Sequence, residues 1–268
     1  MHLLLFLLAA VSAEGDSAMS QPAATPGPNI LFLSKSESYE HEMVKRDGDS
    51  LSVAEKVMEA VAARYGAPIT LTKDADVLTP ESLKKYTIVV FYTAGDLTKP
   101  TKDGGKPAGP GGMDAVVDWV KGGGAFVGIH PATATYMGTN GEITPYIQMI
   151  GGEFDKHGAQ FVGGVRAEAP GHPAIKSLPP GWRFMEEWYL HKRIFTDQVT
   201  VLARLEIGEE RKKQEMYNIP DPPIIWCHPY EKGRVVYNGL GHRAEIWESP
   251  EFQALLLDHL NWVSGRTE

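Results

Sequence analysis

The chain has 268 residues, of which 43% are hydrophobic and 22% are charged, a composition typical of a globular protein. This length suits one large α/β domain, or at most two small ones. The formal net charge is −8 and the sequence has no long basic run. That balance argues against a nucleic-acid partner, because phosphate binding needs a clustered positive face.

The N-terminal segment has the pattern of a secretory signal peptide. Residues 1–13 contain a continuous apolar run that is too short to span a bilayer, and small residues, Val11 and Ala13, occupy the −3 and −1 positions of a cleavage site. Residues 14–28 are rich in Ala, Pro, Ser and Gly and predict a flexible tether. We expect a periplasmic or extracellular protein without a transmembrane span. A start at Met19 would instead leave it in the cytoplasm.

The first half of the chain alternates strand and helix patterns. Short apolar runs predict strands near 29–33, 69–71, 87–92 and 124–130. Helical spacing and capping residues predict helices near 50–65, 79–83 and 113–120. Lys, Gly and Pro between 98 and 112 predict a mobile surface loop. Near-continuous apolar strands that alternate with helices are typical of a parallel sheet covered on both faces.

The second half predicts antiparallel additions to that sheet. Strand patterns occupy 160–168, 199–205, 223–227 and 234–238, and Lys232-Gly233 predicts a hairpin turn between the last two. Helices are expected at 144–150 and from Pro250 to about Ser264. We therefore predict one α/β domain over 29–265, built on a mostly parallel sheet with antiparallel strands in its C-terminal half.

Histidines follow several of these strands at the point where each strand ends. His130 closes the strand at 124–130, His41 follows the first strand, and His242 follows the late strand. Ligands bind beyond the carboxyl ends of the strands in open α/β sheets, so we expect these imidazoles to share a crevice. His157, in a loop beside it, is the fourth candidate. Imidazole serves as an acid/base group or as a metal ligand, and a divalent ion held by His130, His157 and His242 is the metal hypothesis.

Paired carboxylates also occur beside aromatic residues. Of Glu186 and Glu187, we favour Glu187 as a base, a ligand or an acceptor for a sugar hydroxyl, and predict a catalytic group made of it with His130 and His242. The alternative is a strand-edge pair that faces water. The predicted substrate-binding residues are His41, Asp96, Tyr136, Trp188 and Arg243. Burial in the core would explain the aromatic members of this set equally well.

Other reactive residues and motifs point away from familiar chemistry. Cys227 is the only cysteine and lies in an apolar strand pattern, which indicates a small core residue. We expect His191, His228 and His259 to be surface or packing residues. The sequence has no G-x-G-x-x-G after the first strand, no P-loop, no H-E-x-x-H and no G-x-S-x-G, so dehydrogenase, ATPase, zincin and serine-hydrolase functions lack support.

Several short stretches, in fixed order, carry a family resemblance. They are GGGAFVGIH at 122–130, GGEFDKH at 151–157, GHPAI at 171–175, EEWY at 186–189, GRV at 233–235, LGH at 240–242 and LNW at 260–262. Together they make the chain resemble the trehalose-utilisation (ThuA-like) family. Arg243, directly after the last histidine, departs from the family pattern and adds a charge.

The resemblance implies a fold like that of class I glutamine amidotransferases, a flavodoxin-like three-layer sandwich. In those enzymes a cysteine nucleophile sits where Gly128-Ile129-His130 stands here, so glutaminase chemistry is not expected. The family implies a carbohydrate substrate, a disaccharide or a 3-keto sugar, handled by an isomerase, lyase or hydrolase, with no cofactor specified beyond the divalent-metal hypothesis. One alternative is a non-catalytic carbohydrate-binding protein of the same fold. In another, the histidines do not converge. The oligomeric state is left open.

Overall fold

The computed structural model describes residues 27–267. The strands are β1 Ile30–Leu33, β2 Ile69–Thr72, β3 Ile88–Phe91, β4 Ala125–Ile129, β5 Gly152–His157, β6 Phe161–Ala167, β7 Trp182–Glu186, β8 Tyr189–Ile194, β9 Thr200–Glu206, β10 Pro223–Tyr230 and β11 Gly233–Asn238. The α-helices are α1 Val53–Tyr65, α2 Pro80–Leu83, α3 Gly112–Lys121, α4 Pro145–Ile150, α5 Glu209–Lys212, α6 Ala244–Glu248 and α7 Pro250–Val263. The predicted leader at 1–13 and nearly all of the tether at 14–28 lie outside the described residues, so both stay predictions.

A nine-stranded mixed sheet runs through the molecule in the order β2-β1-β3-β4-β11-β10-β9-β6-β7. The strands from β2 to β11 in this order are parallel, and those from β10 to β7 are antiparallel to their neighbours. This confirms the predicted parallel sheet with antiparallel additions. Strands β5 and β8 form a separate two-stranded sheet. In the described part of the chain, no helix combines the length and apolar character that a membrane crossing requires.

The sheet is buried on both faces, which makes the fold a three-layer sandwich. Along β1, Ile30 and Phe32 belong to one apolar cluster, whereas Leu31 and Leu33 belong to the other. Helices α1 and α7 cover the first face, and α3 and α4 cover the second. Successive side chains of a strand point to opposite faces, so a central strand covered on both sides must be apolar throughout. This is the predicted glutamine amidotransferase-like arrangement.

The sequence pattern does not predict three of the strands. It places β5 in a loop, and it predicts neither β7 nor β8, although a strand edge at Glu186 and Glu187 is one alternative. The apolar pattern of β5 is weak, since its sequence is GEFDKH. It pairs with β8 across two register irregularities, which local alternation does not reveal. This small sheet carries His157 and Tyr189 to the site described below.

The loop at 98–112 is anchored, although the sequence predicted a mobile segment. Lys35, two residues after the end of β1, is fully buried. Its Nζ donates to the carbonyl oxygen of Gly105 at 2.6 Å and to the hydroxyl of Thr101 at 2.7 Å. Asp103, 3.7 Å from the same ammonium group, accepts a hydrogen bond from the backbone N–H of Ser36 at 2.7 Å. A buried ion pair therefore ties this loop to the edge of the sheet.

Candidate histidine-carboxylate site

Three imidazoles and one carboxylate meet at the carboxyl ends of the parallel strands. His41, His130, Glu187 and His242 each present one donor atom, and these four atoms all lie within 4.8 Å of one another. The positions are spread over two hundred residues of chain, and the parallel strands β1, β4 and β11 bring three of them to one edge. The imidazoles that the sequence placed at strand ends do share one crevice.

His130 stands on a strained elbow at the end of β4. Its φ is +42°, in the left-handed region that non-glycine residues rarely adopt, and its side chain is fully buried. The close turn needs Gly128, where a Cβ atom would lie only 2.7 Å from the Cδ1 of Ile150. Strain of this kind concentrates at functional sites.

A backbone hydrogen bond determines which nitrogen of His130 is available. Its Nδ1 lies 3.0 Å from the carbonyl oxygen of Gly239. A carbonyl oxygen can only accept, so Nδ1 carries the proton. Among the described residues Nε2 has no hydrogen-bond partner, and it lies 3.7 Å from Oε1 of Glu187. In the neutral ring, the Nε2 lone pair is therefore directed into the cluster.

His242 is held by a rigid loop that follows β11. The backbone N–H groups of Gly241 and His242 both donate to Oε2 of Glu186, at 3.1 and 3.2 Å. Asn238 accepts from the N–H of Leu240 at 3.0 Å. Gly241 has φ +117°, a conformation that favours glycine. These contacts fix the direction of the His242 side chain, whose Nδ1 lies 3.2 Å from Oε1 of Glu187.

Glu187 is the carboxylate around which the imidazoles gather. Its Oε1 faces His130 and His242, and its Oε2 lies 3.1 Å from Nδ1 of His157. Burial alone would raise the pKa of Glu187, but the close approach of the His130 and His242 imidazoles outweighs it and holds that pKa far below its usual range. The neighbouring Glu186 is fully buried, which raises its pKa. Two adjacent carboxyl groups thus have opposite electrostatic environments.

His41 completes the cluster and lies in the loop that follows β1. Its ring centroid lies 5.1 Å from that of His130 and 5.2 Å from that of His242. Burial, with the neighbouring imidazoles, lowers the pKa of His41 to about 2. The ring is therefore neutral at physiological pH, which is the form of histidine that binds metal ions.

The site opens to solvent on the side of the small β5–β8 sheet. The side chain of His157 is 41% exposed and that of His242 is 17% exposed, whereas His130 is closed off completely. Tyr189 lies between them, with its ring centroid 4.2 Å from that of His130 and 5.6 Å from that of His157. Tyr189 is the aromatic residue of the site that the predicted set left out.

A cavity of about 650 Å³ lies near the cluster. Asp96, Tyr136, Glu37 and Phe154 are among the residues that line it, whereas none of the four cluster residues does. Its link to the site is Phe154, whose ring lies 4.3 Å from that of Tyr189. The space is mixed in character, with aromatic faces and carboxylates, as binding sites for polar small molecules usually are.

A family model described as trehalose utilisation matches residues 29–263 of this sequence. The chain belongs to the trehalose-utilisation (ThuA) family. The structure of a ThuA-like protein from Bacteroides uniformis superposes with a TM-score of 0.65 and 21% identity, over 91% of this chain and 94% of that one. A second ThuA-like structure, from Parabacteroides merdae, gives a TM-score of 0.61 at 16% identity, over 90% and 91% of the two chains.

The fold also occurs as part of larger proteins. A β-galactosidase from Rahnella sp. R3 matches 87% of this chain with 30% of its own length, with a TM-score of 0.53 and 14% identity. Likenesses at this level of identity show a common fold and nothing about activity. No curated protein matches the sequence. Membership of the ThuA family ties the chain to a role in trehalose utilisation without specifying a reaction.

Some predicted residues of this family member lie elsewhere than expected. Trp188 is buried, and its indole N–H donates to the carbonyl oxygen of Phe161 at 2.9 Å, so it is a core residue rather than a substrate contact. Arg243 is the N-cap residue of α6, and its guanidinium group donates to Gln160 and Glu245, each at 2.6 Å.

His157 contacts Glu187 but is not part of the four-residue donor set, in which His41 takes its place. A metal ion held by His130, His157 and His242 stays a prediction.

The remaining histidines and the cysteine have structural positions. His228 and His259 are buried, and each ring bonds a backbone carbonyl oxygen, of Met149 and Ala174 respectively. Cys227 lies 3.8 Å from Nε2 of His172, an arrangement that resembles a nucleophile and its base. Burial raises the pKa of this thiol to about 12, so the pair lacks the thiolate that such chemistry requires.

Proposed function

We propose that this protein is an enzyme that acts on a disaccharide or a 3-keto sugar at the histidine-carboxylate site. One observation carries the proposal: an ionised carboxylate and three imidazoles converge at the carboxyl ends of the strands, near an open cavity. Family membership supports a carbohydrate-related role, and the cluster of imidazoles around a carboxylate supports acid/base chemistry.

Proton abstraction next to a ketone is the step that suits these groups best. The C–H bond on the carbon beside the carbonyl breaks, its electron pair forms a C=C bond, the C=O π pair moves onto the keto oxygen, and the proton passes to a base of the site. If that carbon bears a hydroxyl group, its hydroxyl proton moves to the enolate oxygen and the abstracted proton returns to the former carbonyl carbon, which is isomerisation. If the next carbon bears the glycosidic oxygen, that C–O bond breaks as the enolate becomes an enone, and the leaving oxygen takes a proton from the site, which is a lyase reaction. Positioned acid/base groups contribute roughly 10²–10⁴-fold to such steps.

The Glu187–His157 pair is placed to handle that proton. Glu187 is largely buried, and its Oε2 is 3.1 Å from an imidazole that reaches solvent. His130 and His242 border the same carboxylate oxygen and can either exchange protons or bind a cation there. Asp96 lines the cavity, where its carboxylate can bind sugar hydroxyls.

Deuterium exchange provides a test that does not need the physiological reaction. The protein is incubated in D₂O with trehalose, other disaccharides and their 3-keto derivatives, and the products are followed by NMR. We expect deuterium at the carbon beside the ketone, with or without net conversion, and we expect Glu187→Gln to abolish it. His228→Gln is the matched control, since that buried histidine lies outside the cluster.

Other results would argue against an enzyme. Sugar binding measured by calorimetry, with neither exchange nor product after long incubation, would indicate a carbohydrate-binding protein. Exchange that persists unchanged in Glu187→Gln would move the chemistry to another place in the molecule.

A further inference from the structure

The four groups of the site share one chemical property: each has an atom that can present a lone pair to its neighbours. The tautomer of His130 is set by Gly239, which leaves Nε2 as an acceptor. Nδ1 of His41 and Nδ1 of His242 are buried atoms without a hydrogen-bond partner in residues 27–267. Glu187 adds a negative charge. Converging acceptors repel one another unless a positive group lies between them.

We infer that His41, His130 and His242, with Glu187 as the fourth donor, form a binding site for one divalent transition-metal ion. Imidazole nitrogens and a carboxylate oxygen are ligands that suit first-row metals such as Zn²⁺, Mn²⁺ and Co²⁺. The role of the ion rests on the proposed function, since a bound divalent ion can polarise a keto oxygen. The existence of the metal site rests on the geometry alone.

The distances agree with this assignment. Two donors about 2.1 Å from a tetrahedral metal ion lie about 3.4 Å apart. Oε1 of Glu187 lies 3.2 Å from Nδ1 of His242 and 3.7 Å from Nε2 of His130. The widest pair of the set, within 4.8 Å, would contract by roughly 1 Å on binding.

The outer-shell hydrogen bonds of the ligand residues are also typical of a metal centre. A metal-binding histidine almost always donates its other N–H to a carbonyl or carboxylate oxygen, which orients the ring. His130 does this with Gly239. Glu186 holds the backbone of His242 through two hydrogen bonds to the loop. His130 is buried completely and His41 nearly so, whereas His242 and Glu187 are partly exposed. The site is preformed, with one open side.

His157 is excluded from the ligand set. It contacts the outer oxygen of Glu187 and is largely exposed. The inference therefore separates two histidines that the sequence alone had grouped as equals: His41 is a ligand and His157 is not.

Metal titration of the full chain tests the inference directly. The protein is stripped with a chelator, and Zn²⁺, Mn²⁺ and Co²⁺ are added separately while stoichiometry, affinity and melting temperature are measured. We expect one equivalent of at least one of these ions, a raised melting temperature because binding stabilises the folded state, and Co²⁺ absorption bands typical of nitrogen and oxygen ligands.

Four variants locate the ion. We expect His41→Gln and His242→Gln each to weaken binding by at least about 100-fold, the upper end of what loss of an outer-shell partner alone costs. We expect His157→Gln to weaken it by less than about 100-fold, because it removes only an outer-shell contact of Glu187, and His228→Gln to leave it unchanged. Binding to wild-type protein needs no variant to fold, so the test remains decisive if one of them does not.

The outcomes separate this inference from the proposed function. Absence of stoichiometric binding of all three ions, or equal binding by wild type and His242→Gln, would overturn the metal site. Undiminished deuterium exchange by chelated protein would overturn only the role of the ion in proton abstraction, and would leave the metal site and the enzyme proposal intact. One bound equivalent that depends on His41 and His242, with no sugar turned over, would uphold the metal site and count against the proposed function.

Discussion

Glu186 accepts a hydrogen bond from the backbone N–H of His242 at 3.2 Å, while the next residue, Glu187, contacts the imidazole of the same histidine at 3.2 Å. One carboxylate therefore positions the loop and the other meets the side chain that the loop presents. Glu186 thus supports the loop, and Glu187 faces the imidazole.

This division predicts different effects for matching substitutions. Glu187→Gln should lower turnover by roughly 100-fold or more. Glu186→Gln should lower the free energy of unfolding by about 1–3 kcal/mol, because buried backbone donors lose a carboxylate acceptor. Urea unfolding and initial rates on the same preparations measure both. Full turnover by Glu187→Gln, or unchanged stability of Glu186→Gln, would contradict the assignment.

Substitutions at His130 should separate chemistry from backbone strain. Asn tolerates the left-handed region better than Ala does, by about 1 kcal/mol. We expect His130→Asn and His130→Ala to lose activity equally, and His130→Asn to be the more stable of the two. Thermal unfolding of both variants tests this, with φ +42° as the structural premise. A more stable Ala variant would show that the elbow relaxes.

Tyr136 should affect stability without affecting substrate binding. Its hydroxyl is buried and has no hydrogen-bond partner among residues 27–267, although the residue lines the cavity. Tyr136→Phe should leave the free energy of unfolding unchanged or raise it, because an unsatisfied polar atom is removed. KM should not change, because a hydroxyl without solvent access does not reach a sugar in the cavity. Urea unfolding and initial rates measure both, and a raised KM would show that the hydroxyl contacts the substrate.

His259 should make stability depend on pH. Burial lowers its pKa to about 4, below the value of about 6.5 in an unfolded chain. Neutral His259 donates to the carbonyl oxygen of Ala174 and accepts from the amide of Asn238. A depressed folded-state pKa means that this contribution is present above about pH 6.5 and is lost as the pH falls toward 4.

The size of the effect is measured as a difference between two proteins. Between about pH 7.5 and pH 5, His259 should account for about 2 kcal/mol of lost stability. His259→Gln cannot take up the proton, so its unfolding free energy should fall by that much less than the wild-type value over the same interval. Parallel pH profiles for the two proteins would contradict a neutral, buried imidazole.

The ion pair between Lys35 and Asp103 should hold the loop at 98–112 in place. Asp103→Ala leaves a buried ammonium group without its partner, which costs about 3–5 kcal/mol. We also expect faster cleavage of this loop by subtilisin, a protease of broad specificity, which is used because Lys99 and Lys106 each precede a proline and resist trypsin. Exposed Lys102 provides the control, because Lys102→Ala should change stability by less than about 0.5 kcal/mol. Unchanged cleavage in Asp103→Ala would show that other contacts secure the loop.

Local pattern was enough to predict the layers of the fold. The apolar runs of β1, β3 and β4 identify central strands because a sheet covered on both faces demands apolar side chains on both. Capping residues such as Ser249, whose hydroxyl accepts from the N–H of Phe252, marked where helices begin. The same reasoning placed His130 and His242 at strand ends, and strand ends of a parallel sheet meet at one edge.

Local pattern failed where a contact joins distant segments. It did not show β5 and β8, whose pairing crosses irregular register, and so it placed His157 on a loop and chose Trp188 instead of Tyr189. It favoured Glu187 over Glu186, but it did not show that Glu186 supports the loop, since that role depends on the backbone of residues 241 and 242.

The sequence by itself determined the sheet, its covering helices and the edge at which imidazoles collect, because burial and strand direction follow from the order of apolar residues. Only the tertiary structure decided which nitrogen of His130 is free and that His41, not His157, completes the donor set. Those properties depend on distances of a few ångströms between side chains far apart in the chain, and no local pattern encodes them.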